Sequence, residues 1–415
     1  MQFRRHTRDD FLVAPNAKHT WWRNSGNFGA TRMAVFDDME PDLEGPMAPD
    51  ETDFGYLSRS TRPEAARVRE LIESWVCHYP EEHRSALVAR LRSKIDDAHQ
   101  SAFFELALHE LLLVTGHVII AIEPKLEHTA YSPDFFVQAP DGTRFYLEAV
   151  VATAKSAQAV AADKRLNVAI AAIERVESPA HFLDLHVEGK PSQPVRGRHL
   201  RGALRAWIAA LPDSEAAKHV PPFVYEEFGA KFTIAAFHRR HRAEPGERAV
   251  GVRSREPYWG TLGDGIRESV DKKASKYGEL DAPYVVAVNA TGEYQNAEDA
   301  FDALFGSPCI IVRHYDDGRV EHMDSRNPDG VWRGKNGPRN IRLSAVLSTE
   351  RLSPWSVELR RVRLIRNPWA AKPLAAVPLQ VDEVNPIEGK FVKSQGKALG
   401  TLLGLHSGWP GDPSI

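Results

Sequence analysis

Apolar residues in the first quarter of the chain recur at intervals of three and four, the spacing that one face of an α-helix produces. Two such stretches follow Pro63. The first contains Val68, Leu71, Ile72 and Trp75, and the second contains Leu87, Leu91 and Ile95. We therefore expect two helices before residue 100.

A third helix and a strand are predicted next. The apolar stretch Phe103–Thr115 is followed by Gly116, a residue typical of helix C-termini, and so favours a helix. The short apolar run Val118–Ala121 then favours a strand.

Two further strands form a predicted hairpin. They are Asp134–Gln138 and Thr143–Thr153, and Pro140-Asp141-Gly142 separates them. In such a turn proline fixes one backbone angle and glycine accepts a positive φ.

Helices and strands alternate after the hairpin. We predict helices at 157–176, 198–211 and 264–277, and strands at 181–187, at Tyr284–Asn289 and, as a pair, around 222–237. The last ~100 residues mix short strands and loops, and their pattern predicts no topology.

These elements indicate an α/β protein with a mixed central sheet flanked by helices. We expect four parts: a poorly ordered acidic tail over residues 1–52, a helical segment over 53–100, an α/β core with an extension over 101–290, and a C-terminal α+β region over 291–415. The tail is expected to be poorly ordered because its acidic, proline-punctuated sequence has no apolar period.

Composition narrows the class of protein. The formal net charge of the 415 residues is -3, so contacts with phosphates must come from local basic patches. The two cysteines, Cys77 and Cys309, lie far apart and suggest neither a disulfide framework nor a zinc site. No export-like segment and no run near the ~18 apolar residues of a membrane span is present, so we expect a cytoplasmic protein without a membrane anchor.

The hairpin brings two acidic residues together. Asp134 opens the first strand, and Glu148 lies in the second. A three-residue loop at 140–142 would pair 139 with 143 and set Asp134 directly opposite Glu148, with Cβ atoms roughly 5 Å apart. A two-residue loop would shift the pairing by one and turn the two side chains to opposite faces.

Opposed carboxylates on a mostly apolar hairpin are destabilising unless something compensates their charge. A divalent cation would do so, because Mg²⁺ commonly binds one or two carboxylates together with a substrate phosphate. The structural alternative is that Asp134 accepts turn hydrogen bonds and that Glu148 pairs with Arg144.

The context of this pair resembles the PD-(D/E)xK nuclease superfamily of restriction-endonuclease-like enzymes. The resemblance covers roughly residues 101–187: a helix reading Phe104-Glu105-Leu106-Ala107-Leu108-His109-Glu110-Leu111, then Pro133-Asp134, then Glu148-Ala149. It implies a restriction-endonuclease-like core and a Mg²⁺ (or Mn²⁺) ion held by Asp134, Glu148 and the Ala149 carbonyl. It also implies that Glu105 holds a second metal or orients water, while Glu110, about 140° further round the helix, points elsewhere.

The lysine of the family motif is missing, because Val150 stands at its position. Lys164 is the substitute we favour, since the helix over 157–176 should pack back over the sheet. Lys155 is a weaker one, because it lies five residues after Val150 and this odd offset points it to the other face of the strand. Lys273 and Lys276 are further candidates that the sequence does not place.

Three basic clusters could contact a nucleic acid, although solvated loops often carry such runs. They are Arg196, Arg198, His199, Arg201 and Arg205; His238, Arg239, Arg240, His241 and Arg242; and Arg333, Lys335, Arg339 and Arg342.

The sequence thus favours a metal-dependent DNA endonuclease, with Glu105, Asp134, Glu148 and Lys164 as catalytic residues. A second hypothesis keeps the fold but makes the protein an inactive binder of nucleic acid or of a protein partner, because of Val150. A third makes Asp134 and Glu148 purely structural in an unrelated α/β protein. Whether the chain forms a homodimer is left open.

Overall fold

Four helices open the described part of the chain. The computed structural model describes residues 34–36, 40–153, 155–243, 249–254, 262–292, 298–315, 318–375, 377–387 and 390–411. The helices are α1 (Asp53–Arg59), α2 (Pro63–His78), α3 (Glu81–Leu91) and α4 (Asp96–Val114). The two predicted helices before residue 100 are confirmed as α2 and α3, except that Ile95 lies beyond the end of α3 and is exposed. The sequence did not predict the seven-residue α1, which is too short to show an apolar period.

The first core cluster contains the apolar faces of these helices. Val68, Ile72 and Trp75 of α2 are buried there together with the apolar residues of α4 between Ala102 and Leu112. α4 begins at Asp96 and not at the predicted start, Phe103. The apolar pattern does not reveal its first turn, because that turn is polar. Residues 1–33 of the predicted tail lie outside the described residues, and Val35, which lies within the predicted tail, is buried in this cluster.

Sixteen strands and five further α-helices follow within the described ranges. The strands are β1 (Val118–Ile122), β2 (Phe135–Gln138), β3 (Arg144–Thr153), β4 (His181–Glu188), β5 (Phe223–Glu227), β6 (Ala230–His238), β7 (Val250–Ser254), β8 (Tyr284–Thr291), β9 (Pro308–His314), β10 (Val320–Arg326), β11 (Arg333–Gly334), β12 (Gly337–Pro338), β13 (Ala345–Glu350), β14 (Arg363–Arg366), β15 (Asp382–Ile387) and β16 (Lys390–Ser394). The helices are α5 (Ala157–Glu174), α6 (Gly197–Ala209), α7 (Leu262–Ala274), α8 (Asp299–Phe305) and α9 (Leu399–Leu402).

Eight of the strands form one large mixed sheet in the order β1-β2-β3-β8-β13-β14-β15-β16. β1, β2 and β3 are antiparallel neighbours, while β3, β8 and β13 run parallel. A parallel pair needs a crossover, and the helix that lies between β3 and β8 in sequence and packs on both strands is α7. The expectation of a mixed sheet flanked by helices is confirmed.

Alternate residues of β3 face two different cores, as the pleat of a strand requires. Phe145 and Leu147 belong to the cluster built with α2, α3 and α4. Tyr146 and Ala152 belong to a second cluster, which contains Ile266 and Val270 of α7. Even-numbered positions of β3 therefore lie on the side of the sheet that α7 covers.

Residues 157–254, here called the inserted unit, interrupt the connection from β3 to α7. They contain a four-stranded sheet in the order β5-β6-β4-β7 and a hydrophobic cluster of their own. Leu166, Ile170 and Ile173 of α5 are buried in that cluster, against the four-stranded sheet. The expectation that this helix packs over the large sheet is therefore wrong.

No helix in the described ranges combines the length and the apolarity needed to cross a membrane.

Candidate active site

The hairpin of β2 and β3 has the register that a three-residue loop predicts. Phe135 pairs with Leu147, and the amide of Ala139 donates to the Thr143 carbonyl at 2.8 Å. Gly142 closes the loop with a φ of +87°, a backbone conformation that glycine adopts at little cost. Continued by one residue, this register sets Asp134 opposite Glu148, so the two-residue alternative is excluded.

Asp134 lies at the start of the hairpin, where protein surrounds its half-buried carboxyl group. Its Oδ2 accepts a hydrogen bond of 2.6 Å from the backbone amide of Ala149. Burial, then the charge of Glu148 and then that of Glu105 raise the pKa of Asp134 to about 8, against the opposing effect of the Ala149 amide. Burial and the neighbouring negative charges thus both favour the protonated form of Asp134.

Asp134 has no ion pair with any described residue. It therefore differs from Glu148 and Glu105, each of which has a cationic partner.

Glu148 is almost completely buried and is compensated by groups at the end of α7. The ammonium of Lys273 and the hydroxyl of Tyr277 contact its carboxylate, and Nζ of Lys276 lies 3.3 Å away. Burial, and then the charge of Glu148, raise the pKa of Tyr277, so the phenol stays protonated and donates. The predicted structural partner, Arg144, instead donates to Gln138 at 3.0 Å.

The lysines come from a part of the chain far from the motif. Val150 lies two residues after Glu148 on the face of β3 that α7 covers, and it packs against the second core cluster. The end of α7 and the turn that follows it place Lys273 and Lys276 on this same face. A lysine is therefore present beside Glu148, although the motif position is apolar.

Lys164, the substitute favoured from the sequence, is exposed on α5 in the inserted unit and contacts neither carboxylate among the described residues. Lys155 is held elsewhere, at 2.8 Å from Asp163. The sequence named Lys273 and Lys276 without placing them. Both lysines lie shortly before the buried strand β8, which is the parallel neighbour of β3. A helix just before such a strand is the signal that could have favoured them.

Glu105, the predicted helix glutamate, is buried and already compensated. Arg90 of α3 donates to its two oxygens at 2.5 and 2.9 Å, and the Tyr79 hydroxyl donates to Oε1 at 2.6 Å. Burial, followed by the charge of Glu105, raises the pKa of Tyr79. Neither partner is predicted by the sequence pattern.

Glu110, which the sequence directs away from the metal, is also buried. Nδ1 of His78 and Nδ1 of His109 lie 2.9 and 3.2 Å from its two oxygens. Burial alone would raise the pKa of Glu110, but the hydrogen bonds to these histidines outweigh burial and lower it. Glu110 therefore belongs to a separate polar cluster, one turn further along α4 than Glu105.

The residues around Asp134 and Glu148 fit a divalent metal ion in part. No group of three His, Cys, Asp or Glu side chains in the described ranges is arranged to hold one. Asp134 and Glu148 remain a pair of opposed carboxylates with mutually unfavourable charge, and a hard cation with oxygen ligands suits such a pair. The Ala149 group seen to contact Asp134 is its amide, not its carbonyl.

A tyrosine and a lysine form the rim beside this pair. Tyr131 is 60% exposed in the loop before Asp134, and Nζ of Lys276 lies 5.6 Å from the centre of its ring. Lys276 thus reaches from Glu148 towards solvent, where an anionic substrate could approach.

Comparison with models of known protein families, with curated proteins and with solved structures finds no match for this chain. The class that the coordinates define is an α/β protein with a large mixed sheet flanked by helices. Function must therefore be argued from the site itself.

Proposed function

We propose that this protein hydrolyses phosphodiester bonds of DNA as an endonuclease that depends on Mg²⁺ or Mn²⁺. The observation that carries the proposal is the convergence of Asp134, Glu148 and Lys273 at one end of the β2–β3 hairpin. Two acids and one lysine at such a position are the charged groups of the PD-(D/E)xK arrangement, with the lysine supplied by α7. We further propose that α4, β1, β2, β3, α7 and β8 form a restriction-endonuclease-like core.

Asp134 and Glu148 would hold the cation. When bound, a divalent ion polarises the phosphoryl group and lowers the pKa of a coordinated water. Asp134 would bind in its ionised form, because a cation offsets the burial and the charges of Glu148 and Glu105 that together raise its pKa.

Lys273 would keep an ammonium next to the carboxylate pair. Such a group stabilises negative charge as it develops on a phosphate and orients an attacking water. Lys276, at the rim with Tyr131, would attract and orient the nucleic-acid backbone. Glu105 would act through its negative field on Asp134, because Arg90 and Tyr79 already occupy its oxygens.

The second candidate function is nucleic-acid binding without cleavage. The observation that favours it is the state of Glu148, whose oxygens are engaged by Lys273, Lys276 and Tyr277. If these contacts persist in the presence of metal, the carboxylate cannot be a ligand, and the protein would bind DNA without cutting it.

The test is a cleavage assay on supercoiled plasmid and linear duplex, with Mg²⁺, with Mn²⁺ and with a chelator. Asp134→Asn and Glu148→Gln are compared with Glu226→Gln, a control that removes an exposed carboxylate of β5 in the inserted unit. We expect metal-dependent nicking by the unaltered chain and by the control, and none by the two site variants. DNA binding without nicking by the unaltered, folded chain would favour the second candidate.

A further inference from the structure

An arginine-bearing face of α6 lies in the inserted unit, outside the candidate active site. Helix α6 runs from Gly197 to Ala209 and contains three arginines and no acidic residue. Arg198, Arg201 and Arg205 follow one another at intervals of three and four residues. At about 100° per residue the three lie within roughly 60° of one another, spread over about 10 Å of the helix axis.

The opposite face of α6 anchors it. Leu200 and Leu204 are completely buried in the cluster of the inserted unit, and Trp207 packs against that cluster. The core thus fixes the rotation of the helix and directs the arginine face outwards, where Arg198 and Arg205 are exposed and Arg201 is half-buried.

These three guanidinium groups have no ion pair with any residue in the described ranges. Two exposed arginines in or near the inserted unit are paired instead. Arg196, immediately before α6, contacts Glu227, and Arg175 lies 2.6 Å from Asp50. Three uncompensated positive charges on one face therefore form a concentrated electrostatic patch.

We infer that the arginine face of α6 binds the phosphate backbone of nucleic acid. Guanidinium groups donate two hydrogen bonds at once to phosphate oxygens, which makes arginine suited to this contact. The exposed residues between the arginines are His199, Gly202 and Ala203, and the small size of Gly202 and Ala203 leaves room for a backbone to approach.

An anionic membrane surface is the competing partner, and the helix does not suit it. A helix that lies on a membrane inserts its apolar face among the lipids. The apolar face of α6 is already buried, and its exposed face carries no large apolar residue between the arginines. The inference does not depend on cleavage, because it concerns binding at α6 alone.

The experiment measures how binding depends on salt. Binding of the full chain to a fluorescent 30-base-pair duplex and to the matching single strand is followed by anisotropy over a range of KCl concentrations, with chelator present to prevent cutting. The triple variant Arg198→Ala, Arg201→Ala, Arg205→Ala is compared with Arg59→Ala, Arg175→Ala, Lys393→Ala. The control removes the same charge from exposed residues that are paired with Asp42, Asp50 and Glu298.

Each phosphate contact contributes about 0.9 to the slope of log K against log salt on duplex DNA and about 0.7 on a single strand. We expect the α6 variant to lose about 2 to 3 from the duplex slope, and the control to keep the slope of the unaltered chain. Circular dichroism checks that both variants are folded.

Equal slopes for the α6 variant and the unaltered chain would overturn the inference, as would a chain that binds no nucleic acid. Binding to phosphatidylserine vesicles that is stronger than binding to DNA and is lost in the α6 variant would overturn it in favour of a membrane. A chain that shows the expected slopes but never cuts DNA would refute the proposed endonuclease and leave this inference standing.

Discussion

Lys273 places its ammonium against the carboxylate of Glu148, joining the end of α7 to the middle of β3 across 125 residues of chain. The contact lies on the face of β3 that also carries Val150. A positive charge therefore stands beside the acidic pair although the nearby sequence supplies none. The contact also has a structural consequence, since it compensates a buried carboxylate.

If Lys273 stabilises charge in the reaction, its removal should slow cleavage far more than removal of Lys276. We expect Lys273→Ala to lower the single-turnover rate with Mg²⁺ by about 10² or more, the usual scale for a positioned proton-transfer or charge-stabilising group. Lys276→Ala should lower the same rate by about tenfold or less, because Lys276 lies farther from the Glu148 carboxylate than Lys273 does. Its ammonium is also shared with the rings of Tyr131 and Tyr277.

The exposed residue Lys164 is the control for this pair, and Lys164→Ala should leave the rate unchanged. Equal losses in the Lys273 and Lys276 variants would contradict a special role for Lys273. A loss in the Lys164 variant would restore the hypothesis drawn from the sequence.

A lysine at position 150 should partly replace Lys273. Val150 is on the same face as Glu148, two residues further along β3. In the Lys273→Ala background, Val150→Lys should recover cleavage by at least about tenfold, because it returns an ammonium to the same carboxylate.

Val150→Met in that background is the matched control, since it adds length without charge. Rates are measured under single-turnover conditions after thermal unfolding has shown both double variants to be folded. Similar rates for the lysine and methionine variants would count against the proposed equivalence of the two positions.

The local part of the site could be predicted from sequence, and the distant part could not. The register that opposes Asp134 and Glu148 follows from a short turn, whose residues are adjacent in the chain. The contact of Lys273 with Glu148 depends on which helix covers β3. Apolar spacing reveals that a helix is amphipathic but not which sheet receives it, and for this reason α5 was assigned to the wrong sheet.

The environment of Glu105 was missed for a similar reason. Its partners Tyr79 and Arg90 lie at the end of α2 and on α3. The helical pattern predicts that both helices exist, but the packing that brings their polar ends to Glu105 is tertiary. The apolar patterns likewise predict single strands of the inserted unit. They do not show that these strands form a sheet separate from the large one, because that depends on how the strands pair.

The contacts of Glu105 indicate a role in stability and not in metal binding. Arg90→Ala removes two charged hydrogen bonds from a buried carboxylate and should lower the free energy of unfolding by about 1–3 kcal/mol, allowing for the partial exposure of the arginine. Glu105→Gln should keep cleavage within about tenfold of the unaltered rate, since both oxygens of Glu105 are already occupied.

Urea unfolding and plasmid nicking, measured on the same preparations, check these two expectations. If Glu105→Gln abolished nicking as completely as Asp134→Asn while remaining equally stable, Glu105 would have to touch the metal or the substrate, as the sequence first implied.

Asp134 should make stability fall as pH rises. Its pKa is raised to about 8 in the folded chain, whereas an exposed aspartate has a pKa near 3.9. Between roughly pH 4 and pH 8 the folded state therefore holds a proton that the unfolded state has released. The stabilising contribution of the protonated carboxyl is complete below about pH 4 and is lost as pH rises through about 8, by several kcal/mol in total.

Urea unfolding in chelator at a series of pH values measures this slope. Asp134→Asn removes the titrating group, so the stability difference between the unaltered chain and the variant should shrink or reverse towards pH 8. Added Mg²⁺ should stabilise the unaltered chain more at pH 8 than at pH 5, because the metal binds the ionised carboxylate, and should leave the variant unaffected. If the free energy of unfolding changes with pH in the same way in both proteins, Asp134 is ionised without metal. The reason for placing a cation beside it would then be lost.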